Sequence, residues 1–319
     1  MSAPLFRTRA VSVGYPGRPR VIDDLDLELP RGGFTSIVGP NGCGKSTLLL
    51  ALGRLLRPEH GAVFFDGVDL QSYAPRALAH RLAFLPQQPM APEGICVRDL
   101  VMRGRQPHRR FLLPPSRQDV AAVETALAVT GTADLADAPV HDLSGGQRQR
   151  VWVAMAFAQD TDTVLLDEPT SFLDIGFQID VLDACAQLVA AGRSVVAVLH
   201  DLGLAARYSD HMIVMREGQV EAAGRPAEVV QATTVEKVFG LPCRVVNDPE
   251  TSSPLVIPGP PGRRPSSAPL SDSLRCGEER RPGTPQALFT DGEPRERAGY
   301  GAGVHAGPVA RLDERRESA

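Results

Sequence analysis

The string GPNGCGKST, Gly39 to Thr47, satisfies G-x4-G-K-[ST], a spacing whose chemistry is phosphate binding. Glycines let a backbone wrap around phosphate oxygens, and successive N–H groups at a helix start supply positive potential there. Lys45 adds a mobile point charge for the β- and γ-phosphates, and the Ser46 hydroxyl can ligate magnesium. Of the 34 basic residues only two are lysines, Lys45 and Lys237. A lysine retained in so arginine-rich a chain is informative, because a compact ammonium and a planar guanidinium are not interchangeable at a crowded site. These residues predict binding of a nucleoside triphosphate.

Two later strings bear on what is done with it. In TVLLDEP, Thr163 to Pro169, Asp167 and Glu168 directly follow an apolar strand, at the carboxyl edge where open α/β sheets bind ligands. Adjacent carboxylates can divide the labour, Asp167 holding magnesium and Glu168 polarising an attacking water. In LSGGQRQR, Leu143 to Arg150, the residues Ser144, Gly145 and Gly146 open a helix. Exposed N–H groups, a hydroxyl and the helix dipole make that start an anion site, although a plain capped helix would use the same residues.

Elements must hold these strings in place. Leu5–Val13 and Val21–Leu29 alternate apolar and polar residues, and Ala62–Leu70 reads as a strand pair around Asp66-Gly67, which together predict an antiparallel sheet. Thr35–Val38 runs as a strand into the glycine-rich loop. A helix follows, with Leu48, Leu49, Leu52, Leu55 and Leu56 on one face and a stop near Pro58. Thr163–Leu166 and Ser194–Leu199 are apolar without alternation, as in a parallel sheet covered on both faces. Between them Ile179, Leu182, Ala186 and Val189 predict a helical stripe, and the middle, 89–160, reads as mainly helical with a Val151, Ala154, Met155, Ala158 stripe.

Composition sets the outer limits. With 43% hydrophobic and 23% charged residues the 319-residue chain is not disordered throughout. The longest apolar run, Val151 to Ala158, is far short of the roughly 18 residues that span a bilayer. The start, MSAPLFRTRA, carries no readable secretory signal. Five scattered cysteines with no CxxC pair argue against a disulfide framework or a structural zinc site. A net charge of -4 gives no reason to expect a nucleic-acid partner. Residues 259–319 hold 8 Pro, 9 Gly, 10 Arg and 9 acidic residues but 7 Leu, Val and Phe, and are expected to be a disordered tail after a folded region of 1–258.

A P-loop, then LSGGQ, then a strand ending in Asp-Glu, then an isolated His in VLHDL is an order that resembles the ATP-binding cassette family. The resemblance implies an α/β fold: a P-loop NTPase (RecA-like) core with an N-terminal antiparallel β subdomain and an inserted α-helical subdomain. It also implies an ATPase with ATP and Mg2+ as ligands. Tyr15 in VGYPG looks like the aromatic that stacks on adenine, and Gly39, Pro40, Asn41, Gly42, Cys43, Gly44, Lys45, Ser46 and Thr47 the phosphate loop. Gln87, rather than Gln88, resembles the glutamine that touches magnesium and water, beside Ser46 and Asp167 as metal ligands. His200 matches the histidine that meets the γ-phosphate, making Glu168, His200, Gln87 and Lys45 the implied catalytic set. Leu173 and Asp174, with Ser144, Gly145, Gly146 and Gln147, match segments that act across a head-to-tail dimer of two copies.

Finer stretches, GRQPHRR at 104–110, DEPTSFLDIGFQIDVL and RVVNDPETSSPLVIP, look like the ATPase subunits of bacterial iron–siderophore importers of the ferric-enterobactin type, whose relatives handle haem or vitamin B12. That branch implies a permease pair as partner, indirectly a substrate-binding protein, and a peripheral place on the cytoplasmic side of the membrane. The basic cluster Arg103, Arg105, His108, Arg109 and Arg110 reads either as a docking face or as a solvated one. Cys43, at a helix start that lowers thiol pKa, reads either as reactive or as a small residue that fits.

Overall fold

The computed structural model describes residues 3–109 and 113–260. The expected tail from 261 onward and Arg110 lie outside them. The chain opens with β1 (Phe6–Gly14), β2 (Arg20–Leu29) and β3 (Gly33–Val38), then α1 (Lys45–Leu52), β4 (His60–Phe65) and β5 (Val68–Asp69). After α2 (Pro75–Ala79) and β6 (Leu82–Leu85) come three helices, α3 (Val97–Met102), α4 (Arg117–Val129) and α5 (Gly145–Ala158). The second half alternates β7 (Thr163–Asp167), α6 (Ile175–Ala190), β8 (Ser194–Val198), α7 (Leu202–Tyr208) and β9 (His211–Arg216). It closes with β10 (Gln219–Gly224), α8 (Pro226–Val229), α9 (Ala232–Phe239) and the hairpin of β11 (Cys243–Asn247) with β12 (Pro254–Pro258). None of the described helices is long and apolar enough to cross a membrane.

The central sheet has the order β10-β9-β3-β8-β7-β6 and is parallel except for the antiparallel β10–β9 edge. Side chains of period two sort onto its faces. Val195 and Ala197 of β8 join a core shared with α3–α6, while Val196 and Val198 join a second core with α1 and the antiparallel sheet. Both faces are covered, which is why β7 and β8 are buried at every position and read as unbroken apolar runs. The antiparallel sheet, β2-β1-β4-β5, shows the other pattern, with β2 burying Ile22, Leu25, Leu27 and Leu29 and exposing the polar residues between.

The parallel strands fix where chemistry can happen. β3, β6, β7 and β8 point the same way, so the segments after Val38, Leu85, Asp167 and Val198 all emerge at one edge. All the strings singled out after a strand therefore converge, except the one that opens α5.

Three expectations need correction. The α1 stripe was to run through Leu55 and Leu56, but the helix ends at Leu52, where the Gly53 N–H bonds to the Leu49 carbonyl at 2.9 Å. Phe84 of β6 lies so close that a Cβ on Gly53 would sit 2.7 Å from its ring, Arg54 takes φ 58, and Leu55 is left 60% exposed. In α6 the buried residues are Val181, Leu182, Ala184 and Cys185, whereas Ala186 is exposed. The stripe is rotated because the helix lies on β3, β8 and α5 together.

The third correction concerns the basic cluster, which is not one surface face: Arg103 is exposed, whereas Arg105 turns inward. Arg105 is 1% exposed; its Nε donates to Asp119 Oδ1 at 3.0 Å and its Nη1 to the Ala158 carbonyl at 2.9 Å. His108 Nε2 lies 2.7 Å from the Gln159 carbonyl, and Arg76 donates to the carbonyls of Pro107 and Arg109. Arg105 thus braces α4 against the end of α5. Asp119 also closes the capping box of α4, its Oδ2 accepting from the Ser116 N–H at 2.9 Å. Burial works against its charge, yet the Ser116 and Arg105 bonds together hold the carboxyl below the usual range.

Candidate active site

The turn between β3 and α1 is shaped by glycine where nothing else fits. Gly39 has φ 154, and a Cβ there would lie 2.2 Å from the Met215 carbonyl oxygen. Gly44 caps α1 at φ 104. The loop is also clamped from behind, the Gly218 N–H of the β9–β10 turn donating to the Cys43 carbonyl at 3.0 Å. Lys45, 5% exposed, folds back so that Nζ donates to the carbonyls of Gly39 and Pro40, each at 2.9 Å. Its charge therefore sits inside the loop, at the start of the helix.

Ser46 Oγ donates to Asp167 Oδ1 at 2.9 Å, joining the helix start to the end of β7. Asp167 is 3% exposed, and burial, aided by the charge of Glu168, pushes its carboxyl up to about 6 against the pull of Ser46 and Lys45. Glu168 is different. Burial pushes it up, but bonds from His200 and Ser171, the His200 charge and Gln87 outweigh that and hold it below the usual carboxylate range. Oε1 lies 2.7 Å from His200 Nε2, and Oε2 accepts from Ser171 Oγ at 2.9 Å. Its backbone is strained, with φ 54 in a non-glycine residue that precedes proline. Such a conformation costs about 1–3 kcal/mol and persists only where its surroundings hold it.

One pocket of about 450 Å3 gathers Tyr15, Asn41, Gly42, Gly44, Lys45, Ser46, Thr47, Gln87, Glu168 and His200, with Val21. Tyr15 reaches it from the end of β1, its hydroxyl 3.3 Å from Thr47 Oγ1. Gly39, Pro40, Cys43 and Asp167 are not among the lining residues, nor is Gln88, although Asp167 touches the lining through Ser46. The pocket does not include Ser144, Gly145, Gly146, Gln147 or Asp174. Ser144 Oγ accepts from the Gln147 N–H at 3.2 Å and Gln147 Oε1 from the Ser144 N–H at 3.0 Å, a closed capping box at the surface. Asp174 caps α6 by accepting from the Phe177 N–H at 3.0 Å, beside Phe172 and Ile175, which are 78% and 76% exposed.

Cys43 is 5% exposed, and burial pushes its thiol up although Lys45 pulls the other way, so the reactive reading is withdrawn. Ser171, which the sequence reading missed, touches Glu168 directly. The only signal for it was a hydroxyl three positions after the carboxylate.

The donors offered by Ser46 and Asp167 are hard oxygens, joined in pairs rather than in a cage. Among the described residues no cluster of three His, Cys, Asp or Glu side chains could hold a metal. That fits magnesium, which takes one or two protein oxygens plus substrate phosphates, and does not suit zinc.

The family model described as ABC transporter matches residues 22–171. The achromobactin transport ATP-binding protein of Dickeya dadantii (strain 3937) is 50% identical over 252 residues, 79% of this chain and 93% of that protein. The ferric enterobactin transport ATP-binding protein of Escherichia coli (strain K12) is 46% identical over 258 residues, 81% and 95% of the two chains. A dimeric ATP-binding cassette solved in a post-hydrolysis state with ADP and phosphate superposes with a TM-score of 0.62 at 25% identity, covering 69% of this chain and 98% of that one.

Proposed function

The chain belongs to the ABC transporter family as an ATP-hydrolysing cassette, and from that premise we propose that it energises an importer of iron–siderophore complexes. The observation that carries the catalytic part is that two adjacent carboxylates meet different partners beside one pocket: Asp167 the phosphate-loop Ser46 at 2.9 Å, and Glu168 the strand-end His200 at 2.7 Å.

In this reading Tyr15 stacks on adenine, and the N–H groups of Gly39–Thr47 with Lys45 cradle the phosphates. Lys45 exchanges its two carbonyl partners for phosphate oxygens of opposite charge. Ser46, Asp167 and Gln87 would hold Mg2+, which would neutralise phosphate charge. Glu168, ionised at neutral pH, accepts a hydrogen bond from water and orients it toward the γ-phosphorus; the bond to the bridging oxygen breaks, giving ADP, phosphate and a proton. His200, released from Glu168, donates to the γ-phosphate. Little covalent help is needed, since positioning and electrostatics dominate phosphoryl transfer.

Ser144–Gln147 and Asp174 serve the pocket of a second copy set head to tail. Support comes from their exposure outside their own pocket, next to uncovered Phe172 and Ile175. The other partners are permease subunits, and indirectly a substrate-binding protein, with this chain peripheral on the cytoplasmic side of the membrane. Identity to transporters of achromobactin and ferric enterobactin supports the choice of substrate class. A deletion strain tested on a panel of ferric siderophores, haem and cobalamin should lose uptake of a siderophore alone. Loss of haem or cobalamin uptake instead would reassign the substrate.

A further inference from the structure

We propose that Gln149 is a positioning residue for Glu168, a side-chain strut by which the helix opened by Ser144–Gly146 holds the left-handed peptide that aims the carboxylate. The proposal rests on the reading of Glu168 as the base.

Gln149 lies in α5, five residues after Ser144, and is 6% exposed. Its Nε2 faces two carbonyls, Glu168 at 3.4 Å and Pro169 at 3.3 Å. Both partners are acceptors, so the amide must present its nitrogen to them. Within the turn itself the Glu168 carbonyl receives the Ser171 N–H at 3.2 Å. Pro169 has no N–H to offer the loop. The bonds from Gln149 thus come from a separate element and grip two successive peptides beside the strained φ of 54. At the other end of the same residue, Ser171 Oγ and His200 hold the carboxylate. Backbone and side chain of Glu168 are therefore fixed from different directions.

Gln149 does not line the nucleotide pocket. It should accordingly act on the rate of the chemical step and leave nucleotide binding alone. Because α5 begins at the surface that serves a second copy, a shift of that helix on pairing would reach Glu168 through this one amide.

The test uses the full 319-residue chain. Gln149→Met keeps the length and removes the donor. Its kcat should fall at least tenfold, while KM for ATP and affinity for a fluorescent ATP analogue stay within twofold, measured well below its melting temperature. Glu168→Gln alone should accumulate an ATP-bound head-to-tail dimer, and the double variant should still do so. If Gln149→Met does not fold, Gln149→Leu, which also lacks the donor and adds no buried charge, carries the same expectation. An unchanged kcat, a rise in KM in place of the fall in kcat, or loss of the trapped dimer would each overturn the proposal. Undiminished turnover in Glu168→Gln by itself would instead overturn the reading of Glu168 as base.

Discussion

Asp167 and Glu168 are neighbours that their surroundings push in opposite directions, and the two proposed roles follow from that difference. Glu168→Gln should lower phosphate release roughly 100-fold or more, the range for loss of a general base. Turnover within tenfold of the parent would remove it from that role. Asp167 calls for a stability measurement without nucleotide or metal. Its folded pKa, about 6, lies above the ordinary 3.8, so the folded state holds the proton more tightly than the unfolded state. The destabilising cost of ionising it is full above pH 6 and fades as pH falls toward 4. Asp167→Asn should therefore raise the melting temperature at pH 8, by no more than about 3 kcal/mol of stability, with the gain vanishing at low pH. A variant less stable at pH 8 would contradict this. At this scale the chemistry was legible wherever residues are adjacent in a string, as in GPNGCGKST and LLDEP. Ser171 and Gln149 were not, since their importance comes from what β7, α5 and the turn after Pro169 bring together.

Among elements, α4 and α5 depend on one buried ion pair. Asp119→Asn leaves the buried Arg105 with only the part-exposed Asp160, 3.9 Å away, as counter-ion, a change that should cost up to about 3 kcal/mol. Because the folded pKa of Asp119 is depressed, its contribution is present above the unfolded value and is lost as pH falls through the folded one. Chemical denaturation at pH 7 should show the deficit, and the two proteins should converge once the pH falls below the depressed folded value of Asp119. Equal stability at pH 7 would deny the pair its bracing role. The alternation in β2 and the apolar runs of β7 and β8 made the two sheets readable beforehand. Helix faces were less so. α5 is buried almost all round, so no stripe distinguishes its sides, and α1 stops where Phe84 of a strand thirty residues on crosses it.

At the scale of the whole molecule, one backbone bond lies past the compositional boundary after Pro258. The Gly259 N–H donates to the Pro242 carbonyl at 2.8 Å, which ties the chain to the β11–β12 hairpin past Pro258. Deleting 261–319, rather than 259–319, should leave ATP turnover within twofold, and an inactive truncation would make that segment part of the machinery. Composition placed the expected boundary where Pro, Gly and Arg replace apolar residues, and a single backbone bond carries no compositional mark. The clamp behind the phosphate loop reaches furthest. Gly218 N–H is bound to Cys43 from the turn that follows the neighbouring parallel strand β9, and Gly39 rests against Met215. Because its acceptor lies in the phosphate loop, the Gly218 amide is freed when that loop lets go of the β9–β10 turn, and its hydrogen-exchange rate becomes a clock for loop opening that bound nucleotide should slow.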